Sequence, residues 1–585
     1  MTATAFESLT QVAPTLTEAL RLRGETQPDD VAYVFLRDGE IPEQTLTYGR
    51  LDSAARARAA ALDAAGLGGG AAVLLYPSGL EFVSTLLACM YAGVAGAPVQ
   101  VPTRLRGMQR VRRIADDAGT TTILTTAAVR QELQERFGDQ PEMAGLTLLD
   151  TESMQDFPAD DWAGSPPGPD DVALLQYTSG STGDPKGVEV THANFRSNVA
   201  ETVELWPVRS DGTVVNWLPL FHDMGLMFGV VMPLWAGIPA YLMAPQAFIR
   251  QPSRWPAAIS RFRGTHAAAP SFAYELCVRA AVDHGLPPGL DLSSWRVAVN
   301  GAEPVRSETV RAFTEAYAPA GFRPRAMCPG YGLAENTLKL SGSPEDREPT
   351  VLRLDAEALQ EDRVVPLAGP EPGGVPVVGC GVTVGASQLC IVDPATGAAR
   401  PAGRVGEIWI NGPCVARGYH GRPADSAEVF GARIVGQEQR GSWLRTGDLG
   451  FLHGDEVFVA GRLKDVVIHQ GRNFYPQDIE LSAERSDPAL HPNCAAAFAL
   501  DDGRTERVVL LVEADGRALR NGGGDALRAR VREGVRDGQR LSVDEIVLLR
   551  RGSLPKTSSG KVQRREARRR YLNGEIGPAP ARETG

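Results

Sequence analysis

The stretch VALLQYTSGSTGDPKG (Val172–Gly187) decides the reading of this chain. VALLQY (172–177) is a short apolar run with the length of a buried strand. It passes into YTSGSTGDPKG (177–187), where Ser179, Ser181 and Thr182 alternate with Gly180 and Gly183, and Lys186 lies beyond. Glycines let a backbone approach a polyanion closely, and hydroxyls and N–H groups can then cradle phosphate oxygens. A helix opened by Thr191 and Asn194 follows. The Gly-Lys-Ser/Thr ending of a Walker A loop is absent. A Ser/Gly-rich loop alone would be compatible with a plain turn; the full eleven-residue string is far more specific.

Upstream, helical and strand patterns alternate. Tyr48 to Ala65 reads as a helix ended by Gly66–Gly70, AAVLLY (71–76) as a strand, Glu81 to Gly93 as a helix, and APVQVP (97–102) as extended chain. This alternation predicts an α/β fold with mostly parallel sheets flanked by helices. The Pro/Asp/Gly-rich segment Phe157–Asp171 reads as a surface linker. Leu226 to Pro245 is twenty residues without a charge, long enough to cross a bilayer. Pro233, Pro239 and Pro245 with Gly229 and Gly237 would break a single helix, so a buried helix, a turn and a buried strand are expected, and no membrane span.

The 585 residues suggest about three or four folding units. Hydrophobic content of 43% and charged content of 22% are those of a globular protein. The net charge of −11 argues against a general nucleic-acid or anionic-membrane binder. The basic run Arg564–Arg570 reads as a solvated helix face. Seven scattered cysteines form no CxxC or Cys/His cluster, so neither a disulfide framework nor a zinc site is expected. The first twenty residues show no secretory signal, and a cytoplasmic location is the expectation. Lysine occurs only at Lys186, Lys339, Lys464, Lys556 and Lys561, the other 55 basic residues being arginine.

The 177–187 string resembles the adenylate-forming ligase superfamily, and the resemblance recurs in order along the chain. PLFHDMG (219–225) is similar to the family's acyl-site histidine motif, NGAEPV (300–305) to its adenine-site loop, and YGLAE (331–335) to its tyrosine-to-glutamate run. LRTGDLG (444–450), GRLKD (461–465) and PKTSSGKVQR (555–564) resemble its ribose-binding, hinge and C-terminal lysine motifs. Within the superfamily, GRNFYPQDIE (471–480) and GLAENTL (332–338) resemble fatty acyl-AMP ligases. The long polar interval between Glu335 and Glu407 points the same way, and a family-type insertion is expected at about 343–372. Phe474 stands where that branch would have histidine.

The resemblance implies an N-terminal adenylation domain (1–463) of βα-layered subdomains with a small β-barrel-like part, and a small mobile α+β lid (464–585) hinged at Lys464. It implies ATP and Mg²⁺ as cofactors, and a fatty acid and a separate acyl carrier protein as partners. Thr178, Ser179, Gly180, Ser181, Thr182, Gly183 and Lys186 would hold phosphates. Gly301, Ala302, Glu303, Tyr331 and Gly332 would border adenine, Asp448 would bind ribose, and Arg462 would bind ribose or phosphate. Glu335 would ligate magnesium, and Lys561 would be the catalytic cation.

His222, followed by Asp223, heads a stripe of Met224, Phe228 and Met232 at helical spacing, read as one wall of an acyl tunnel. Amino-acid-activating relatives carry aspartate directly after the phenylalanine of this motif. Here His222 follows Phe221, which favours a plain fatty acid. An acyl-CoA ligase and a non-catalytic nucleotide- or acyl-binding module are the competing readings.

Overall fold

The computed structural model describes residues 13–178, 185–369, 374–469, 472–501, 506–520, 523–557 and 560–577. A six-stranded sheet runs in the order Thr147–Asp150, Thr122–Thr125, Ala71–Leu75, Ala95–Val99, Val172–Thr178, Lys186–Thr191, parallel except for the last strand. Strand alternation divides its side chains between two cores. Leu74, Leu124 and Leu174 enter the main hydrophobic cluster. Val73, Leu75, Ile123 and Leu175 meet Val111, Ile114 and Leu133 from helices on the other face.

A nine-stranded sheet shares the main core through Val214, Leu242, Ala268 and Val299. Its inner strands Met327–Gly332, Val297–Asn300, His266–Ala269, Val214–Asn216, Ala240–Met243 and Val31–Arg37 are parallel, and antiparallel pairs close both edges. The uncharged 226–245 stretch folds as expected into buried helical segments, Met227–Val231 and Met232–Ala236, and the strand Ala240–Met243. Gly237 takes the left-handed turn between them at φ 73°. No helix among the described residues is long and apolar enough to cross a membrane.

The expected β-barrel-like part is instead an open antiparallel sheet: Gln388–Val392, Gly406–Asn411, Leu444–His453, Glu456–Arg462. It does not close, because the free edge of Glu456–Arg462 pairs with residues 379–381 and not with Gln388–Val392. Cys380 N donates to Val457 O at 2.7 Å and Val457 N to Gly381 O at 2.9 Å.

From residue 467 onward the chain packs around two clusters of its own. Leu490–Asp501 and Glu506–Ala514 pair antiparallel, and Glu545–Arg550 adds in parallel. One face of this sheet packs on the helices Pro476–Glu484 and Gly523–Gln539 through Ile479, Leu527 and Val531. The other packs on Arg564–Leu572 through Ala567. Phe474 fills the first of these cores at the end of a two-stranded ribbon.

Within the expected insertion, Val351–Asp355 leads into the helix Ala356–Gln360 and pairs with Gly374–Val378, a strand just beyond the expected bounds. Among the described residues this element makes three polar contacts with the C-terminal part. Glu357 pairs with Arg540, Gln360 Nε2 donates to Gln539 O at 3.2 Å, and Asn473 Nδ2 donates to Asp362 Oδ1 at 3.1 Å.

Candidate active site

The chain leaves the strand Val172–Thr178 at Thr178 and returns at Lys186, its antiparallel partner in register. Ser179, Gly180, Ser181, Thr182 and Gly183 lie outside the described residues. The helix His192–Leu205 begins, as expected, at Thr191, whose capping box with Asn194 satisfies both reciprocal bonds. A strand, Lys186–Thr191, intervenes between loop and helix. Lys186 Nζ pairs with Asp425 at 2.7 Å and stands over the Tyr419 ring at 5.0 Å. The Tyr419 hydroxyl donates to Glu335 Oε1 at 2.9 Å. The two ends of the predicted phosphate and magnesium sites are thus joined through one tyrosine. Tyr419 and Asp425 were not legible as site residues; the only local signal is the glycine-flanked GYHG turn (418–421).

Two glycines are required by close packing. A Cβ on Gly332 would run into the Leu338 carbonyl, and one on Gly301 would lie 2.8 Å from the Gly330 carbonyl oxygen. Between these approaches, Ala302 is held at φ 64°, a left-handed conformation that non-glycine residues seldom adopt. Glu303 Oε1 accepts from Phe272 N at 2.7 Å, and burial raises its carboxyl above the ordinary range. Asn300, three residues before Glu303 and fully buried, has neither amide atom engaged by the protein.

The Tyr331 hydroxyl donates to Asp448 Oδ2 at 2.8 Å, and Arg462 Nε contacts Asp448 Oδ1 at 3.1 Å. The tyrosine ring itself lies among Leu340, Ile408 and Ile410. Burial raises the Glu335 carboxyl, opposed by the Tyr419 hydroxyl and Arg462. A half-buried carboxylate of this kind is a hard oxygen donor that a divalent cation would favour over a proton. The donor therefore suits Mg²⁺, although no group of three or more candidate ligands occurs among the described residues.

His222 caps the short helix Asp223–Leu226, and its Nδ1 lies 2.5 Å from Asp223 Oδ1. Burial would raise the Asp223 carboxyl, but His222 and then Lys561 outweigh it and hold it below the ordinary value. The predicted stripe of Met224, Phe228 and Met232 is interrupted. Met227–Val231 forms a π-turn, which changes the number of residues per turn and takes the three side chains off one straight face. All three are buried in the main core, with Phe228 packed against Trp206 at 6.0 Å between ring centroids.

The loop carrying Lys561 is closed by Thr557 N donating to Lys561 O at 2.8 Å and Lys561 N to Thr557 Oγ1 at 3.0 Å. Burial lowers the Lys561 pKa, while Asp223, Glu303 and Asp448 oppose the fall. The lysine thus lies within the field of three motifs that are separated by 225 residues of sequence. Lys464 is exposed in the turn Leu463–Asp465. Lys339 departs from the lysine pattern: it is buried, and its Nζ engages no hydrogen-bond partner.

The family described as AMP-binding enzyme matches residues 20–420. The medium-chain-fatty-acid–[acyl-carrier-protein] ligase JamA of Moorena producens is 40% identical over 574 residues, covering 97% of each chain. The long-chain-fatty-acid–AMP ligase FadD32 of Mycolicibacterium smegmatis is 33% identical, over 94% of this chain and 92% of its own. The fatty acyl-adenylate ligase of L. pneumophila, solved with acyl adenylate and pyrophosphate, superposes with a TM-score of 0.75 at 34% identity, over 96% of this chain and 97% of its own. With the site's motifs converging in space as well as in order, this chain belongs to the AMP-binding enzyme family and, within it, to the fatty acyl-AMP ligases.

Proposed function

We propose that this protein activates a medium- or long-chain fatty acid with ATP, forming acyl-adenylate and pyrophosphate, and then passes the acyl group to the phosphopantetheine thiol of a separate acyl carrier protein. One observation carries the reading: the Lys561 loop comes up against Phe272 at Gly560, and Phe272 N donates to Glu303 at 2.7 Å, which sets the C-terminal lysine among Asp223, Glu303 and Asp448.

The fatty carboxylate attacks the α-phosphate in line, and negative charge spreads over the attacking, equatorial and leaving oxygens. Lys561 supplies a compact cation to that charge. Asp448 accepts the ribose hydroxyls, positioned by Tyr331 and Arg462. Thr178 and Lys186 face the outgoing phosphates, Lys186 exchanging Asp425 for phosphate oxygens. Glu335 would hold Mg²⁺, which when bound neutralises phosphate charge. Asp223 orients His222 at the head of the acyl site, with Met224, Phe228 and Met232 as apolar wall behind it. The absence of aspartate directly after Phe221 supports a substrate without a free amino group.

Residues 464–585 act as a lid turning at Lys464. The contacts of Glu357, Gln360 and Asp362 with that lid support an insertion that restrains the rotation used for CoA chemistry. The carrier belongs to lipid, polyketide or lipopeptide assembly. Incubation with ATP, Mg²⁺ and a C12 acid tests the first step: pyrophosphate release that depends on the acid supports it, and no release across chain lengths would leave only a binding module.

A further inference from the structure

The helix Leu105–Asp117 runs beside the candidate active site and touches it at both ends. At its C-terminus Asp117 accepts from the Tyr177 hydroxyl at 2.9 Å and pairs with Arg422 at 2.5 Å, next to the predicted phosphate loop. Near its N-terminus Arg106 pairs with Glu566 at 2.8 Å, five residues beyond Lys561 and on the other lobe. Arg106 and Asp117 are eleven residues apart on this helix, so the anchor points are separated by about 17 Å.

The surface between them is cationic in an acidic protein. Glu566 is shared by three guanidiniums, Arg569, Arg570 and Arg106, which pull its carboxyl far below the ordinary range, and Arg569 also pairs with Glu575 at 3.0 Å. Two carboxylates against three cations leave this point with one positive charge in excess. Arg104, at the cap of this helix, and Arg113, on it, add exposed side chains, and burial first and Arg113 second lower the pKa of Arg110. Leu105 is 40% exposed among them. Arginine is the charged residue enriched in protein interfaces and their hot spots, so a face dense in it has the composition of a protein-docking surface. A net charge of −11 makes this concentration of one sign a local feature and opposes any extended polyanion such as nucleic acid.

We propose that this arginine face, formed by the helices Leu105–Asp117 and Arg564–Leu572, docks an acidic protein, and that this protein is the acyl carrier. The inference rests on the carrier-acceptor reading above. The face borders the loop that carries Lys561, which places a docked carrier beside the adenylate to be discharged.

The test uses the full-length enzyme with Arg104→Glu/Arg113→Glu. Three reactions are followed: pyrophosphate release with a C12 acid, acyl transfer to a bacterial holo-acyl carrier protein, and acyl transfer to pantetheine, a thiol without a protein body. In the variant, pyrophosphate release and pantetheine transfer stay at wild-type levels while the KM for the carrier rises about tenfold. In wild type that KM rises with salt, and the variant loses much of the dependence. Unchanged carrier KM and salt response in the variant would overturn the surface assignment while leaving the acceptor reading intact. Wild-type enzyme that adenylates the acid yet transfers to neither thiol would overturn the acceptor reading itself, and the proposal with it.

Discussion

Tyr331 reaches Asp448 with its hydroxyl at 2.8 Å, on the carboxylate oxygen that Arg462 does not contact. The tyrosine therefore fixes the carboxylate expected to receive the ribose. Tyr331→Phe removes one hydrogen bond to a charged group, a loss of about 1.5–3 kcal/mol. The KM for ATP should rise by about tenfold or more with a smaller change in kcat, as read by pyrophosphate release.

Lys561→Ala should lower pyrophosphate release by about 10²–10³-fold, the usual effect of losing one preorganised charge in such a site. ATP binding, followed by calorimetry, should change little. The wild-type rate carries a second signature. Burial lowers the Lys561 pKa, so the cation is lost as pH rises through a value below the ordinary 10.5, and the rate falls with it. The residual rate of the variant should lack that alkaline limb.

Gly560 sits at φ 84°, and a Cβ there would lie 3.4 Å from the Phe272 ring. Phe272 in turn donates its N–H to Glu303 and packs on Trp217. Gly560→Ala introduces left-handed strain of about 1–2 kcal/mol in the lysine loop. Adenylation should slow by about tenfold, while transfer from supplied acyl-adenylate, which does not need Lys561 in place, should persist.

Breaking the insertion's contacts tests its restraint on the lid. Glu357→Ala/Gln360→Ala/Asp362→Ala removes the three side chains that reach Arg540, Gln539 and Asn473. Acyl-CoA formation, followed by mass spectrometry, should rise above wild type while acyl-AMP formation is kept. Unchanged products from the folded variant would count against the restraint.

The Asp478 carboxyl is pushed up to about 7, by burial first and Glu480 second, with Arg306 and Arg564 opposing. Its folded pKa exceeds the unfolded value of 3.8. The stability it contributes when protonated is complete below about pH 4 and is lost as pH climbs through 7. Asp478→Asn should raise the thermal midpoint at pH 8 and leave it nearly unchanged at pH 4, as read by scanning calorimetry.

The sequence made the parallel sheets legible because buried strands such as AAVLL and VALLQY leave strong apolar runs. It made the 226–245 turn legible because Pro and Gly dictate breaks whatever surrounds them. The open sheet was not legible: which segment occupies the edge of Glu456–Arg462 is settled by residues 379–381, far away in sequence. The π-turn at Met227–Val231 was hidden for a related reason, since an apolar stretch carries no mark of residues per turn. Motif order picked out Glu335, Asp448 and Lys561 as candidates, but not Tyr419, marked only by its flanking glycines, nor Phe272 and Asp425, which have no distinctive neighbours. The lysine count pointed toward the site at Lys186 and Lys561 and failed at Lys339, where a buried amine serves no site residue described above.

The most direct measurement is mass spectrometry of the products formed from ATP, Mg²⁺ and fatty acids of graded chain length, with and without free CoA. Acyl-AMP and pyrophosphate are expected for a window of chain lengths, with CoA leaving the product unchanged. Efficient conversion to acyl-CoA would contradict that expectation.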